Sequence, residues 1–333
     1  MTRISIGISI YNNSSNVKNL INSIRSLTNF PEKYNIVVCD DGSDESVSRS
    51  LIAFCDSLAI PYIQNINNKG VPYSWNRLTE YYDTEYMIIL NDDTRVIHKN
   101  WLAEVVFALD NNPEVGIVDW RENIIDFSGN VLKQTSSYHG KLPKAKLKPS
   151  GPFFAFRKNV WKTIKQPDGS TGFWEDLTAY REEMDLAAEF ASRGFYTMQL
   201  PFYMEHFKSQ TFNGNPDSRL RKTYSDFLTE EEFWGEFYTY SQLDIEVKKE
   251  NSKPKERFKR FFPWKALKKQ LPTKLEYSRA MFAKKWKNRN LFNMPGEKFL
   301  KSAKSSQKAF LQSIQGIKIL YLDSEMNVAE AHF

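Results

Sequence analysis

Cysteine is scarce in this chain: Cys39 and Cys55 are the only two in 333 residues. Each stands in an apolar-rich run, so no disulfide framework is expected, and both read as buried free thiols suited to a reducing compartment. No run of about 18 apolar residues occurs, so no transmembrane helix is expected. The opening MTRISIGISIY passes directly into strand-like alternation, without the pattern of a secretory signal. A cytoplasmic protein is the expectation. Histidine is rare too, with four residues. Hydrophobic residues make up 41% and aromatic residues 14% of the chain, enough for a sizeable core, which argues against wholesale disorder.

Charge is unevenly spread. Residues 1–247 carry 25 Lys and Arg against 33 Asp and Glu, whereas residues 248–318 carry 21 against 4. An acidic body and a basic tail imply different tasks. The expected division is a catalytic domain over 1–215 and a basic, aromatic-rich, mainly helical region over 216–333.

The first half alternates strand and helix signals. Ile4, Ile6, Ile8 and Ile10 repeat with period two, and Val17, Leu20, Ile21, Ile24 and Leu27 repeat at helical spacing. NIVVCDDGSD reads as a second strand ending in acids. Val47, Leu51, Phe54 and Leu58 mark a helix and PYIQNI a third strand. Residues 71–82 read as helix, YMIIL as a fourth strand, Trp101, Val105 and Leu109 as a further helix, and VGIVDW as a fifth strand. This rhythm predicts an α/β fold with a mostly parallel central sheet and helices on both faces. Residues 121–150 read as a polar loop, GPFFAFRKNVW as a strand and a short helix, and YTMQL as a late strand.

IILNDDTRVI raises a physical question. Three apolar residues run into Asn91, Asp92 and Asp93, and adjacent carboxylates both repel each other and resist burial. One answer is a strand end turning into solvent. The other is a hard divalent cation, Mg2+ or Mn2+, held by carboxylate oxygens and shared with a phosphate-bearing substrate. Parallel sheets bind ligands at the carboxyl ends of their strands, where Asp40 and Asp41 also fall. An Asp there can accept from the N3–H of a pyrimidine. In NNKGVPYSWNR, Asn68, Lys69 and Gly70 precede a helix carrying Asn76 and Arg77, a segment able to cradle a ribose or diphosphate. YREEMDL sets Glu182, Glu183 and Asp185 at another helix start.

ISIGISIYNN, VVCDDGSD, NNKGVPYSWNR, LNDDT, GPFFAFRK and YREEMDLAAEFASRGF succeed one another as in family 2 glycosyltransferases of the GT-A fold, which residues 3–210 resemble. LNDDT together with the EExDL segment is most similar to the rhamnosyltransferase-like branch. The resemblance implies that Tyr11 lines the nucleotide base and that Asp41, with Asp40 beside it, binds it. It puts Asn68, Gly70 and Arg77 on the nucleotide and diphosphate, with Asp92 on the donor side. Asp93 matches the last Asp of the DxD metal motif, whose first position here is Asn91. Glu183 matches the catalytic base, with Asp185 a supporting group or an alternative base. Trp174, Glu175, Asp176 and Glu182 are implied on the acceptor side, and His206 matches a histidine that completes the metal site in some members.

The activity implied by this resemblance is inverting transfer from a nucleotide sugar to a glycan or lipid-linked acceptor, with Mn2+ or Mg2+. A neutral alcohol is a poor nucleophile, so a carboxylate should take its proton. The leaving diphosphate gains charge that a divalent metal stabilises. Two other readings stand beside this one. A nucleotidyltransferase would want a Gly-rich, cationic loop after the first strand, which is absent. A binding protein with a decayed site would not be expected to keep acids at all three places. In the tail, Phe258, Phe261, Phe262, Trp264, Leu267, Met281, Phe282 and Trp286 lie among cations, cut by Pro254, Pro263 and Pro272. The aromatics either pack on the catalytic domain or mark peripheral contact with an anionic membrane, at the inner face. No nucleic-acid module pattern appears.

Overall fold

A computed structural model describes residues 2–125, 131–134, 144–146, 149, 151–177, 181–207, 281–282, 285, 318–322 and 328–332. The chain begins β1 (Ile4–Ile10), α1 (Ser14–Leu27), β2 (Tyr34–Asp40), α2 (Glu45–Ser57), β3 (Tyr62–Gln64), α3 (Val71–Tyr81) and β4 (Tyr86–Asn91). It continues with β5 (Thr94–Arg95), α4 (Trp101–Asn111), β6 (Val115–Ile125), β7 (Val131–Gln134), β8 (Lys144–Lys146), β9 (Phe153–Arg157) and α5 (Lys158–Trp161). Then come a 3-10 turn (Glu175–Leu177), α6 (Glu182–Ser192) and β10 (Tyr196–His206). A separate antiparallel pair, β11 (Lys318–Leu322) and β12 (Val328–His332), lies near the end.

Ten strands form one sheet in the order β3-β2-β1-β4-β9-β6-β10-β5, with β7 on β6 and β8 on β10. β3, β2, β1 and β4 are mutually parallel. β9 runs against both β4 and β6, so β6 and its parallel partner β10 point the same way as β4. The expected mostly parallel sheet is therefore present, with β9 reversed in its middle and β5, β7 and β8 antiparallel to the strands they pair with.

Period-two alternation distributes side chains to two cores. Ile4, Ile6, Ile8, Ile10, Val38, Ile88 and Leu90 meet α1, α2 and α4 on one face. Val37, Cys39, Met87 and Ile89 meet α3, α5 and α6 on the other. YMIIL shows no alternation because β4 is covered on both faces, as parallel strands are. Each such residue fully withdrawn from water contributes roughly 1.5–3 kcal/mol. Cys39 and Cys55 are free and buried, and burial pushes their thiols up to about 12 and about 11.

Three expectations change. β6 runs on to Ile125, so the strand expected to end at Trp120 carries Arg121–Ile125 as well. β7 and β8 fall inside the segment expected to be loop. The chain end, expected to be mainly helical, is helical at residues 281, 282 and 285 but forms strands at β11 and β12, and most of 216–333 lies outside the described residues. No helix among the described residues is long and apolar enough to cross a membrane.

Candidate functional site

The register sets the site. Ser9 pairs with Asn91 and Ile10 with Asp40, so Tyr11, Asp41 and Asp92 emerge together at one sheet edge. The Tyr11 backbone N–H donates to the Asp92 carboxylate. Asp92 is buried with Oδ2 lacking any protein partner, and burial and then Asp93 push its carboxyl well above the usual range.

Asp40 and Asp41 divide their work. Asp40 is fully buried and accepts from the Ser43 backbone N–H at 2.8 Å, the Ser48 hydroxyl at 2.6 Å and the Tyr62 hydroxyl. It holds the turn into α2 rather than facing a ligand, which corrects its expected donor contact. Asp41 accepts from Asn65 at 2.7 Å and from the Lys69 and Gly70 N–H groups at 2.8 and 2.9 Å. It thereby fixes the 65–70 loop, with Asn68 half-buried beside it. Burial raises its carboxyl, against those hydrogen bonds. Gly42, at φ +76°, is required here, since a Cβ would lie 2.5 Å from the Asn67 carbonyl carbon. Asp40→Ala orphans buried donors and is expected to cost about 3 kcal/mol. That loss would be read as a lower urea midpoint at unchanged slope.

Arg77 donates to the Gln64 carbonyl at 3.0 Å and to Asn65, bracing the same loop from α3. Asn76 clamps the 173–175 segment. Its Nδ2 donates to the Phe173 carbonyl and to Glu175 Oε1, both at 2.9 Å, while its Oδ1 accepts from the Phe173 N–H at 2.9 Å. Glu175 and Asp176 are half-buried, and burial raises both carboxyls. Trp174, expected to face the acceptor, is only 2% exposed and packs with Leu177, Ala188 and Phe282. The apolar ring is covered by the C-terminal segment, which corrects that expectation.

β5 and the end of β10 pair antiparallel, Thr94 with His206 and Arg95 with Glu205. This brings His206 Nε2 to 3.2 Å from Asp93 Oδ2. The other ring nitrogen, Nδ1, contacts Glu122 from β6. Burial lowers the His206 pKa, but hydrogen bonds to Asp93 and Glu122 outweigh it and raise it to about 9. Two cis ligands on an octahedral cation with bonds of about 2.1 Å stand about 3 Å apart. The 3.2 Å contact is an ion pair here, and only with the imidazole deprotonated would Asp93 and His206 together hold one divalent cation, with Glu122 as the carboxylate that orients the ring. No group of three His, Cys, Asp or Glu side chains among the described residues can hold a metal ion, so remaining ligands would come from phosphate oxygens and water. Glu122 was not singled out from the sequence, because only the β6–β10 register reveals it.

Asn91 N–H donates to the Pro152 carbonyl at 2.8 Å, which seats the start of β9 against the carboxylate edge. Across that junction, a Cβ on Gly151 would stand 3.9 Å from Glu183 Cδ. Glu183 is half-buried at the first turn of α6. Glu182 is buried, with Oε2 lacking a protein partner, and burial and then Glu183 push its carboxyl well above the usual range. Asp185 is fully buried in an ion pair with Lys285 at 2.8 Å and accepts from Gln166 at 3.0 Å. That arrangement gives it a structural role and removes it as an alternative base.

A parallel βαβ half joined to a mixed half, with a carboxylate pair at the edge between them, defines an α/β domain of the GT-A type. The chain belongs to glycosyl transferase family 2, whose profile matches residues 5–174. It is 24% identical over 206 residues to the probable glucomannan 4-beta-mannosyltransferase 4 of Oryza sativa subsp. japonica, covering 57% of this chain and 37% of that protein. It thus spans little more than a third of that relative's length.

Among solved structures, S. aureus TarS 1–349 is similar at a TM-score of 0.52 and 16% identity, covering 100% of this chain and 99% of that one. GalNAc-T7 with UDP, GalNAc and Mn2+ is similar at 0.55 and 14%, covering 90% and 58%. Mannosyltransferase PcManGT from Pyrobaculum calidifontis with GDP-Man and Mn2+ is similar at 0.50 and 15%, covering 93% and 75%. At such identities the structural likeness carries the fold.

Proposed function

We propose that the chain is an inverting glycosyltransferase that moves a hexosyl or deoxyhexosyl group from a nucleotide sugar to a hydroxyl of a glycan or lipid-linked acceptor. The observation that carries this reading is the 3.2 Å approach of Asp93 and His206 at the end of a buried parallel strand, with Glu183 facing Gly151 at the start of β9. Asp93 and His206 would hold the divalent cation. When bound, that cation supplies positive charge to the leaving diphosphate.

Glu183 takes the acceptor proton as its oxygen attacks the anomeric carbon from the face opposite the departing diphosphate, which inverts that centre. Glu182 lies beside Glu183, with burial pushing its carboxyl well above the usual range. Tyr11, Asn68 and the loop fixed by Asp41 receive the nucleotide. Asp92 serves the donor side, and Glu175 and Asp176 border the acceptor.

The rhamnosyltransferase-like EExDL segment and the mannosyltransferase among the relatives both point to a donor sugar of manno configuration. The basic 248–318 segment suits an anionic membrane surface at the cytoplasmic face, where lipid-linked acceptors would lie.

Thermal stabilisation by UDP, dTDP, GDP, CDP and ADP, with and without Mn2+, tests this reading. One nucleotide at about 100 times its Kd contributes about 2.7 kcal/mol, a rise of about 5–10 °C. A Mn2+-dependent rise with one nucleotide is expected. No rise with any of the five would defeat the proposal.

A further inference from the structure

The residues before and after the Glu182-Glu183 pair are both held from outside the family-matched region. Arg181, which leads into α6, sits at φ +78° in the left-handed region that side chains rarely adopt. Its guanidinium lies 5.8 Å from the centre of the Phe282 ring. Asp185, two residues past Glu183, pairs with Lys285 at 2.8 Å. The same ammonium pairs with Glu189, one turn further along α6, at 2.7 Å. Asp185, Glu189 and Lys285 side chains are 1%, 4% and 5% exposed, so water screens these contacts little.

Lys285 reaches two more elements. It donates to Gln166 Oε1, and its Nζ lies 5.2 Å from the centre of the Trp174 ring. Trp174 opens the segment whose next residue, Glu175, is clamped to α3 by Asn76. One cation therefore joins the helix carrying Glu183, the acceptor-side turn and, through that turn, the donor-side helix.

We propose that Lys285, with Phe282, is a positioning element for Glu183: it fixes the first turn of α6 against the 174–177 turn. The C-terminal region is then part of the catalytic machinery, whatever surface its other cations meet. This inference rests on Glu183 being the base. The physical argument is one of distance. A base must lie within hydrogen-bond reach of the proton it takes, and a displacement of about 1 Å can cost about 100-fold in rate. An i,i+4 carboxylate pair gripped by one ammonium resists both rotation and sliding of the helix, which a single contact would not.

The test uses the full chain and two variants. Lys285→Met keeps the length of the side chain but leaves the buried Asp185 carboxylate without its cation, while Glu189 keeps Arg193. Asp185→Asn with Lys285→Met removes the uncompensated Asp185 charge as well. Amide hydrogen exchange, which needs no substrate, should rise in residues 174–189 of both variants and stay unchanged in β1, β4 and α1. Wild-type protection of 174–189 in the folded double variant would overturn the proposal.

Transfer is then measured with the nucleotide sugar matching the stabilising nucleotide, using Mn2+ and a simple glycoside acceptor. Lys285→Met should lower kcat by about 10-fold to 100-fold with donor KM within about twofold. The double variant should recover the thermal midpoint but not kcat. Recovery of both would mean that Lys285 only stabilises the fold, and the proposal would fail. Glu183→Gln run alongside separates the two ideas. Full transfer in that variant removes the base assignment itself, whereas its loss together with normal kcat in the Lys285 variants removes only the positioning role.

Discussion

Glu183→Gln is expected to bind donor nucleotide and Mn2+ as the wild type does, and to lose transfer by about 100-fold to 10,000-fold, the range general-base catalysis contributes. Glutamine matches glutamate in shape but cannot accept the acceptor's proton. Among the described residues, the two acids nearest in sequence are poorly placed to take over. Glu182 is buried, with burial and then Glu183 pushing its carboxyl well above the usual range, and Asp185 is occupied by Lys285 and Gln166. The loss should appear in kcat, with donor KM little changed, because the interaction is made in the transition state rather than with the donor at rest. Full activity in the variant would sink the assignment.

Asp93→Ala is expected to abolish the Mn2+-dependent part of nucleotide stabilisation and to lower transfer by about 100-fold to 1,000-fold, as loss of one strong electrostatic stabiliser does. It removes one of the two protein groups that together fit the cation. His206 would remain against Glu122, so the imidazole stays oriented while its metal partner is gone. Fold stability should fall less than function, since the Asp93 carboxylate sits at a strand end and its backbone carbonyl still accepts from Phe207 N–H. A variant that kept the full Mn2+-dependent shift would show that the cation is held elsewhere.

Much of the site could be read from the chain because local chemistry forces it. Burying Ile88–Leu90 and then placing Asn91, Asp92 and Asp93 at the strand end makes sense only at a polar edge, and the parallel sheet supplies that edge. Asp41, Gly70 and Asn68 could be grouped for a similar reason: a turn after one strand and a helix start after another must meet when the strands are neighbours. Asp40 and Asp41 could not be told apart, since alternation says only that their side chains point opposite ways. One goes inward to Ser48 and Tyr62, the other to the 65–70 loop.

The long-range partners were hidden for a different reason. Glu122 joins His206 only because β10 runs parallel to β6 with a register shift between Gln199 and Tyr203. Lys285 meets Asp185 across 100 residues. In the basic tail, every lysine looks alike until one of them is seen buried between two carboxylates. Trp174 shows the same limit from the other side, as the family resemblance implies an acceptor-side place for it, yet its ring is covered.

By itself, the order of apolar periods and acidic turns determined the βαβ half, its two buried faces and the edge where the acids gather, because hydrogen bonding and burial act over a few residues at a time. Only the tertiary structure decided which carboxylates face that edge and which sustain the fold. That choice depends on strand register and on which distant cation arrives beside each acid, and in the low dielectric of the interior the position of a single ammonium separates a base from a brace.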